Sequence, residues 1–143
     1  MIRIEETVPL RRDAAEVFAF LADFRNLPKW DPGIAEARQL EGEEAGVGAR
    51  YEVVATFLGR RVPMTYRTAR HDAEARAAEL VGEGATLTAT DRITVRETAG
   101  GAEVRWQADF EMKGALRYAE PLMKPLFRRL GAKAMAGLRR SLG

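Results

Sequence analysis

The stretch LRYAEPLMKPLFRRLGAKAMAGLRRSL, residues 116–142, decides the predicted fold. Its apolar residues recur at spacings of one, three and four, which is the pattern of one face of an α-helix: Leu122, Met123, Leu126, Phe127, Leu130, Ala134 and Leu138. A helix of this length spans roughly 40 Å at ~1.5 Å per residue. So long an apolar stripe needs an equally long surface to pack against.

Two prolines interrupt this helical pattern. Pro121 and Pro125 each remove a backbone donor and crowd the preceding turn. Either the regular helix begins near Pro121 after a turn formed by residues 116–120, or one helix runs throughout and bends. We favour a kinked N-terminal part of the helix and expect a break or bend between Tyr118 and Pro125.

The rest of the chain alternates between apolar and polar residues, which is typical of β-strands. A first strand is predicted at residues 2–8, ended by Pro9, and six more at 34–40, 50–58, 62–68, 76–81, 87–95 and 104–112. In the last strand every second residue is apolar, so the sheet has one apolar and one polar face. Six glycines are interpreted as hairpin turns: Gly46, Gly48, Gly82, Gly84, Gly100 and Gly101.

Two short helices are predicted between the first and second strands. Asp13 and Glu16 have the spacing of a capping box for a helix that ends near Ala22. Asp23 can cap a second helix through Leu27, which Pro28 and then the turn at residues 31–33 would end. Segregated helices and antiparallel strands indicate an α+β fold in which the helices cover the apolar face.

Composition limits the classes of protein. The chain has 143 residues, 46% hydrophobic and 31% charged, so we expect one globular domain over residues 1–143. The absence of cysteine excludes disulfides and thiolate metal sites. No run approaches the ~18 apolar residues of a membrane span, and a cytoplasmic location is the expectation.

Positive charge is concentrated at the C-terminus. Residues 113–143 carry eight Lys or Arg and one acidic residue, whereas residues 1–112 carry 15 basic and 20 acidic residues. A basic helix suits nucleic acid or an anionic membrane surface. Because no aromatic residues alternate with the basic ones, a solvated outer face is favoured. No nucleic-acid partner or membrane contact is expected, and no feature demands an oligomer.

Over essentially its whole length the sequence resembles the polyketide cyclase/dehydrase-like branch of the START/Bet v 1-like (SRPBCC) superfamily. The similar positions are Val8-Pro9, Val17-Phe18-x-x-Leu21-x-Asp23, Trp30, and the closing run from Phe127-Arg128-Arg129-Leu130 to Leu138-Arg139-Arg140. The resemblance implies a helix-grip fold: a seven-stranded antiparallel sheet curled around a long C-terminal helix, with an apolar cavity between them. The resemblance implies that the cavity binds a lipid, sterol, quinone, hormone or polyketide intermediate. A minority of the family's members also catalyse cyclisation or dehydration. The resemblance implies no cofactor and no shared catalytic motif.

The candidate ligand-binding residues lie on faces predicted to point inward. They are Trp30, Tyr51, Val53, Phe57, Met64, Tyr66, Asp91, Trp106, Phe110, Tyr118, Met123 and Phe127. These side chains either fill a core or line a pocket; buried tyrosine hydroxyls need partners, which favours the pocket. Trp30 either rims the opening or plugs the end of the sheet.

Asp91 is the outlier on an otherwise apolar strand face. A buried carboxylate costs several kcal/mol unless it is paired or protonated. Either a bulge or a salt bridge to an arginine removes that cost, or Asp91 is a functional group in the pocket. It is the catalytic candidate, with Tyr51 or Tyr66 as alternative acids or bases.

The remaining chemical groups are interpreted as structural. His71, the single histidine, is expected in an exposed turn, not as a catalytic base. Without cysteine, a zinc site is not expected. A bulge near Arg67 and Arg70 would bring an arginine inside to bind an acidic ligand.

The sequence therefore predicts a protein that binds a small hydrophobic or aromatic ligand between the sheet and the last helix. A polyketide cyclase or dehydratase that uses polar cavity residues is the first alternative. An interaction module that uses the basic C-terminal helix is the second.

Overall fold

A seven-stranded antiparallel sheet and three helices build the computed structural model, which describes all 143 residues. The strands are β1 (Ile2–Leu10), β2 (Ile34–Glu41), β3 (Arg50–Phe57), β4 (Arg60–Asp72), β5 (Ala77–Gly84), β6 (Leu87–Thr98) and β7 (Gly101–Met112). The helices are α1 (Ala14–Ala22), α2 (Leu27–Trp30) and α3 (Glu120–Leu142). The strand order β1-β7-β6-β5-β4-β3-β2 confirms the predicted α+β helix-grip fold.

The strands are longer than predicted at several ends. Pro9 does not end β1, which continues to Leu10, because β1 is an edge strand and a proline there can leave its missing donor on the unpaired side. Gly82 and Gly84 belong to β5 and not to a turn. A Cβ atom on Gly82 would lie 2.7 Å from the ring of Tyr66, so this glycine lets an aromatic ring lie across the strand.

The start of α1 agrees with its predicted cap. An Asp13 carboxylate oxygen accepts a hydrogen bond from the Glu16 backbone N–H at 3.1 Å. The reciprocal half of the capping box is absent, because the Glu16 side chain lies 3.5 Å from Arg12 instead. Asp23 caps a short 3₁₀ segment, Phe24–Asn26, by accepting from the Arg25 backbone N–H.

The prediction that Pro28 ends the second helix was wrong. Pro28 lies in the first turn of α2, where the backbone donor has no partner within the helix and proline is well tolerated. As a result Trp30 lies on a helix and not in a loop, with its side chain 4% exposed.

The long C-terminal helix begins at Glu120. A 3₁₀ segment, Gly114–Ala119, precedes it, and Pro121 occupies its first turn. The alternative in which the regular helix begins near Pro121 is therefore the observed one, and not the kinked N-terminal part that we favoured. The change from 3₁₀ to α geometry falls at Ala119 and Glu120, inside the interval in which we predicted a break.

The helices cover the apolar face of the sheet. The main core joins β-strand residues to Val17, Phe18 and Leu21 of α1 and to Met135 and Leu138 of α3. A second cluster, which contains Ile2, Ile4, Met112 and Phe127, fixes the first half of α3 against β1 and β7.

Candidate functional site

A cavity of about 750 Å³ lies between the inner face of the sheet and α3. Of the 32 residues that line it, 22 are hydrophobic. Leu58 in the β3–β4 turn and Leu116 before α3 line it and are 72% and 42% exposed, so the cavity reaches the surface at these two residues. This volume falls within the range of about 300–1,000 Å³ that is typical of sites for small molecules.

The structure brings ten of the twelve candidate residues together on the cavity wall. They are Trp30, Val53, Phe57, Met64, Tyr66, Asp91, Trp106, Phe110, Met123 and Phe127. The strand residues among them reach the cavity because alternation places every second side chain of an antiparallel strand on the inner face. Phe110 of β7 and Phe127 of α3 form one aromatic contact on this wall, with ring centroids 4.6 Å apart.

Two candidate residues lie off the cavity. Tyr51 points inward as predicted, but the ring of Phe24 covers it at 6.0 Å, and its side chain is fully buried in the core. Tyr118 is 75% exposed and lies beside Arg117, whose guanidinium donates to its hydroxyl. Tyr118 belongs to the 3₁₀ segment, and a turn of three residues shifts its side chain off the apolar face of α3.

Asp91 faces the cavity. Pairing with both neighbouring strands is regular at this position, so no bulge turns it outward, and its side chain forms no salt bridge. The side chain is 9% exposed, and its Oδ1 atom has no hydrogen-bond partner. Burial raises the pKa of Asp91 to about 7. A hydrogen bond from the Trp106 indole opposes this rise, and the charges of Asp31 and Asp109 add to it. Both structural explanations of this carboxyl group are therefore wrong.

A second carboxyl group, that of Asp31, lines the same cavity, and sequence reasoning missed it. Asp31 follows α2 and accepts a hydrogen bond from the Gly33 backbone N–H at 2.8 Å. Burial raises the pKa of Asp31 to about 6, opposed by this hydrogen bond. The Asp-Pro-Gly stretch indicates only a turn; it carries no local signal that α2 places the turn over the sheet.

Aromatic groups surround these carboxyl groups. The indole rings of Trp30 and Trp106 lie 5.2 Å apart, and the buried Nε1 atom of Trp30 has no hydrogen-bond partner. Trp30 therefore forms part of the inner wall and does not rim the opening. Burial, together with the charges of Asp91 and Asp31, raises the pKa of Tyr66 well above its usual value. The Tyr66 hydroxyl therefore stays protonated and can donate a hydrogen bond.

The other polar groups considered lie elsewhere. His71 is in β4, not in an exposed turn, because this strand continues to Asp72; its ring packs 5.2 Å from that of Phe18, away from the cavity. A register shift does occur between Thr68 and Arg70, yet Arg67 and Arg70 stay exposed, so no arginine enters the cavity. No group of three or more His, Cys, Asp or Glu side chains is arranged to hold a metal ion.

All eight basic residues of the C-terminal segment 113–143 are exposed, which agrees with a solvated outer face. They do not line the cavity, except for Lys133 of α3. None of the helices combines the length and the apolar character that crossing a membrane requires.

This fold and cavity define the helix-grip class of proteins, in which a sheet and a long helix enclose an internal space. The chain belongs to the family described as polyketide cyclase/dehydrase and lipid transport, whose model matches residues 1–143. No curated protein matches the chain in sequence.

Solved structures share the fold at low sequence identity. A protein from Thermus thermophilus is similar with a TM-score of 0.80 and 16% identity, over 98% of this chain and 94% of its own. A START superfamily protein from Mycobacterium smegmatis is similar with a TM-score of 0.73 and 14% identity, over 97% of this chain and 92% of its own. The Zhui aromatase/cyclase from Streptomyces sp. R1128 is similar with a TM-score of 0.71 and 16% identity, over 96% of this chain and 94% of its own. At these identities the similarity establishes the fold alone.

Proposed function

We propose that the protein binds a small hydrophobic or aromatic ligand in the cavity between the sheet and α3. The observation that carries this proposal is the open space of about 750 Å³ with a largely hydrophobic wall, in a chain long enough to close its core. Empty apolar space forfeits packing contacts, because its lining atoms have no partners on one side. A ligand would restore those contacts, and the opening near Leu58 and Leu116 provides a route.

Non-denaturing mass spectrometry of freshly purified protein tests this proposal, with a solvent extract analysed in parallel. We expect a small molecule at one copy per chain, released by denaturation and identified in the extract. Soaking the ligand-free protein with that molecule should restore the bound mass. If the protein carries no molecule and naphthalene derivatives fail to bind it, the proposal is wrong.

A dehydratase or cyclase is the second candidate function, and the pair formed by Asp91 and Tyr66 favours it. A carboxyl group with a pKa of about 7 is suited to general acid–base catalysis near neutral pH. On a β-hydroxy carbonyl compound, the Asp91 carboxylate would remove the proton from the carbon between the two groups. Tyr66 would protonate the departing hydroxyl, which leaves as water, and the proton on Asp91 would then return to Tyr66.

Incubation of the extracted molecule with ligand-free protein separates binding from catalysis. A dehydratase converts it to a product that lacks one water, and Asp91→Asn abolishes the conversion without abolishing binding. Glu97→Gln is the matched control, because Glu97 is an exposed acidic residue of the same strand. Recovery of the molecule unchanged after incubation with the unmodified protein would exclude this second function for that molecule.

A further inference from the structure

The ionisable groups of the cavity wall are almost all acidic. Glu6, Asp31 and Asp91 line it, whereas Lys133 is the only basic residue that does so, and Lys133 is exposed on α3. No arginine or histidine lines the cavity. Above the pKa values of Asp31 and Asp91, the inner end of the cavity therefore carries negative charge with no buried cation to compensate it.

Other carboxylates of the sheet do have cationic partners. Asp109 of β7 points to the opposite face and lies 2.8 Å from Arg3 and 3.0 Å from Arg92. These guanidinium groups lower the pKa of Asp109. The two inner carboxyl groups, Asp31 and Asp91, form no such pair, although burial disfavours the charge of both.

We propose that the ligand carries a protonated amine that pairs with Asp91, with its apolar part against the aromatic wall; this inference rests on the proposed function. The free Oδ1 atom of Asp91 is an acceptor without a donor, and a buried ammonium group would supply one. Asp31 adds a second negative charge nearby. The faces of Trp30 and Trp106 also attract a cation.

The same groups disfavour an acidic ligand. A carboxylate placed at the inner end would meet two like charges in a site of low dielectric constant, which disfavours its binding. A neutral alcohol would donate one hydrogen bond but leave the charge of Asp91 uncompensated. The cavity therefore selects amines over alcohols, and alcohols over carboxylates, among ligands of the same shape.

Three probes with one ring system test this order: naphthylmethylamine, naphthylmethanol and naphthoate. Each is titrated calorimetrically into the ligand-free full-length protein at about pH 8, where both carboxyl groups are ionised. We expect the amine to bind about tenfold more tightly than the alcohol, as a charge-assisted hydrogen bond requires, with naphthoate weakest.

Two variants assign the preference to Asp91. Asp91→Asn should lower the affinity for the amine about tenfold and leave that for the alcohol unchanged. Glu97→Gln, on the exposed part of the same strand, should change neither affinity. Asp31→Asn should lower the affinity for the amine by a smaller factor. This variant replaces Asp91→Asn in the test if circular dichroism shows that Asp91→Asn does not fold.

The other outcomes are distinguishable. Equal affinity for amine and alcohol, or tightest binding of naphthoate, would overturn the charge preference and leave the proposed pocket intact. An unchanged amine preference in Asp91→Asn would overturn the role of that residue. Failure of all three probes to bind, in a protein that also carries no co-purified molecule, would overturn the proposed function and this inference together. If the protein does carry a molecule and that molecule has no amine, only this inference is overturned.

Discussion

At the scale of single residues, Asp91 makes the stability of the fold depend on pH. Its pKa of about 7 in the folded chain lies above the ordinary 3.8, mainly because burial disfavours the charged form. Between about pH 4 and pH 7 the unfolded chain has lost a proton that the folded chain retains. Stability therefore falls as pH rises through this window, by at most about 4 kcal/mol for this difference in pKa.

Asp91→Asn is expected to remove this dependence. The variant should be more stable than the unmodified protein at about pH 8, by about 2 kcal/mol, and the difference should shrink toward about pH 4. Urea denaturation across this pH range measures it, with Glu97→Gln as the control for a lost surface charge. A stability difference that does not change with pH would show that Asp91 is ionised equally in both states.

The stability of the fold at low pH depends on a different set of carboxylates. The pKa values of Asp23, Asp72 and Asp109 are lowered by hydrogen bonds and by neighbouring arginines, so these groups stabilise the fold above their ordinary pKa. That stability is lost as pH falls through their lowered values. The two effects lie in separate pH windows. Asp31, whose pKa burial raises to about 6, shares the window of Asp91, so the difference between the unmodified protein and Asp91→Asn isolates the contribution of Asp91.

At the scale of the elements, α2 and α3 meet at Gly137. A Cβ atom on this residue would lie 2.1 Å from the backbone oxygen of Trp30, which cannot yield as a flexible side chain can. The close approach fixes α2, and α2 carries both Trp30 and the turn with Asp31. The inner wall of the cavity therefore depends on one residue without a side chain.

Gly137→Ala is expected to separate the two helices and lower the free energy of unfolding by about 2 kcal/mol, despite the higher helix propensity of alanine. Gly131→Ala is the matched control in the same helix, because its Cβ would meet side chains and no backbone: the Cγ2 methyl of Ile4 at 2.9 Å and the Cγ atom of Glu6 at 4.0 Å. Thermal denaturation and tryptophan fluorescence report stability and the surroundings of Trp30. Equal losses in both variants would contradict the special role of position 137.

The elements also show what local patterns can predict. Alternation placed Val53, Tyr66 and Asp91 on the inner face because the period of a strand is fixed by its geometry. It could not tell that Phe24 of a separate segment covers Tyr51, since that contact arises only when the chain folds over the sheet. Tyr118 was misplaced because α-helical periodicity was assumed where the backbone is 3₁₀.

Asp31 was missed for a related reason. Its sequence neighbours indicate a turn, and turns are normally exposed. Burial of its carboxyl group depends on the packing of α2 against α3 and on the cavity behind it, neither of which has a local signature. The acidic character of the inner wall therefore became visible only when residues distant in sequence were brought together.

At the scale of the whole molecule, the cavity that would bind a ligand also lowers the stability of the fold. A packed interior has few voids larger than a water molecule, yet this chain leaves about 750 Å³ between sheet and helix. Filling part of that space with the protein's own side chains should restore packing contacts. The same change should exclude the ligand.

Ala55→Leu tests this trade-off. Ala55 lines the cavity on β3, between Val53 and Phe57 on the inner face. We expect the larger side chain to raise the free energy of unfolding by about 1 kcal/mol, because apolar atoms enter an apolar void, and to weaken naphthylmethylamine binding about tenfold by occupying its place. Thermal denaturation and calorimetric titration measure the two effects on the same preparations.

Ala132→Leu, on the exposed side of α3, adds the same atoms outside the cavity and should leave both quantities nearly unchanged. Destabilisation by Ala55→Leu would mean that position 55 is already closely packed, contrary to the space seen beside it. Increased stability with unchanged binding would place the ligand elsewhere in the cavity. Only the combination of greater stability and weaker binding shows that the ligand occupies this space and that leaving the space unfilled lowers the stability of the fold.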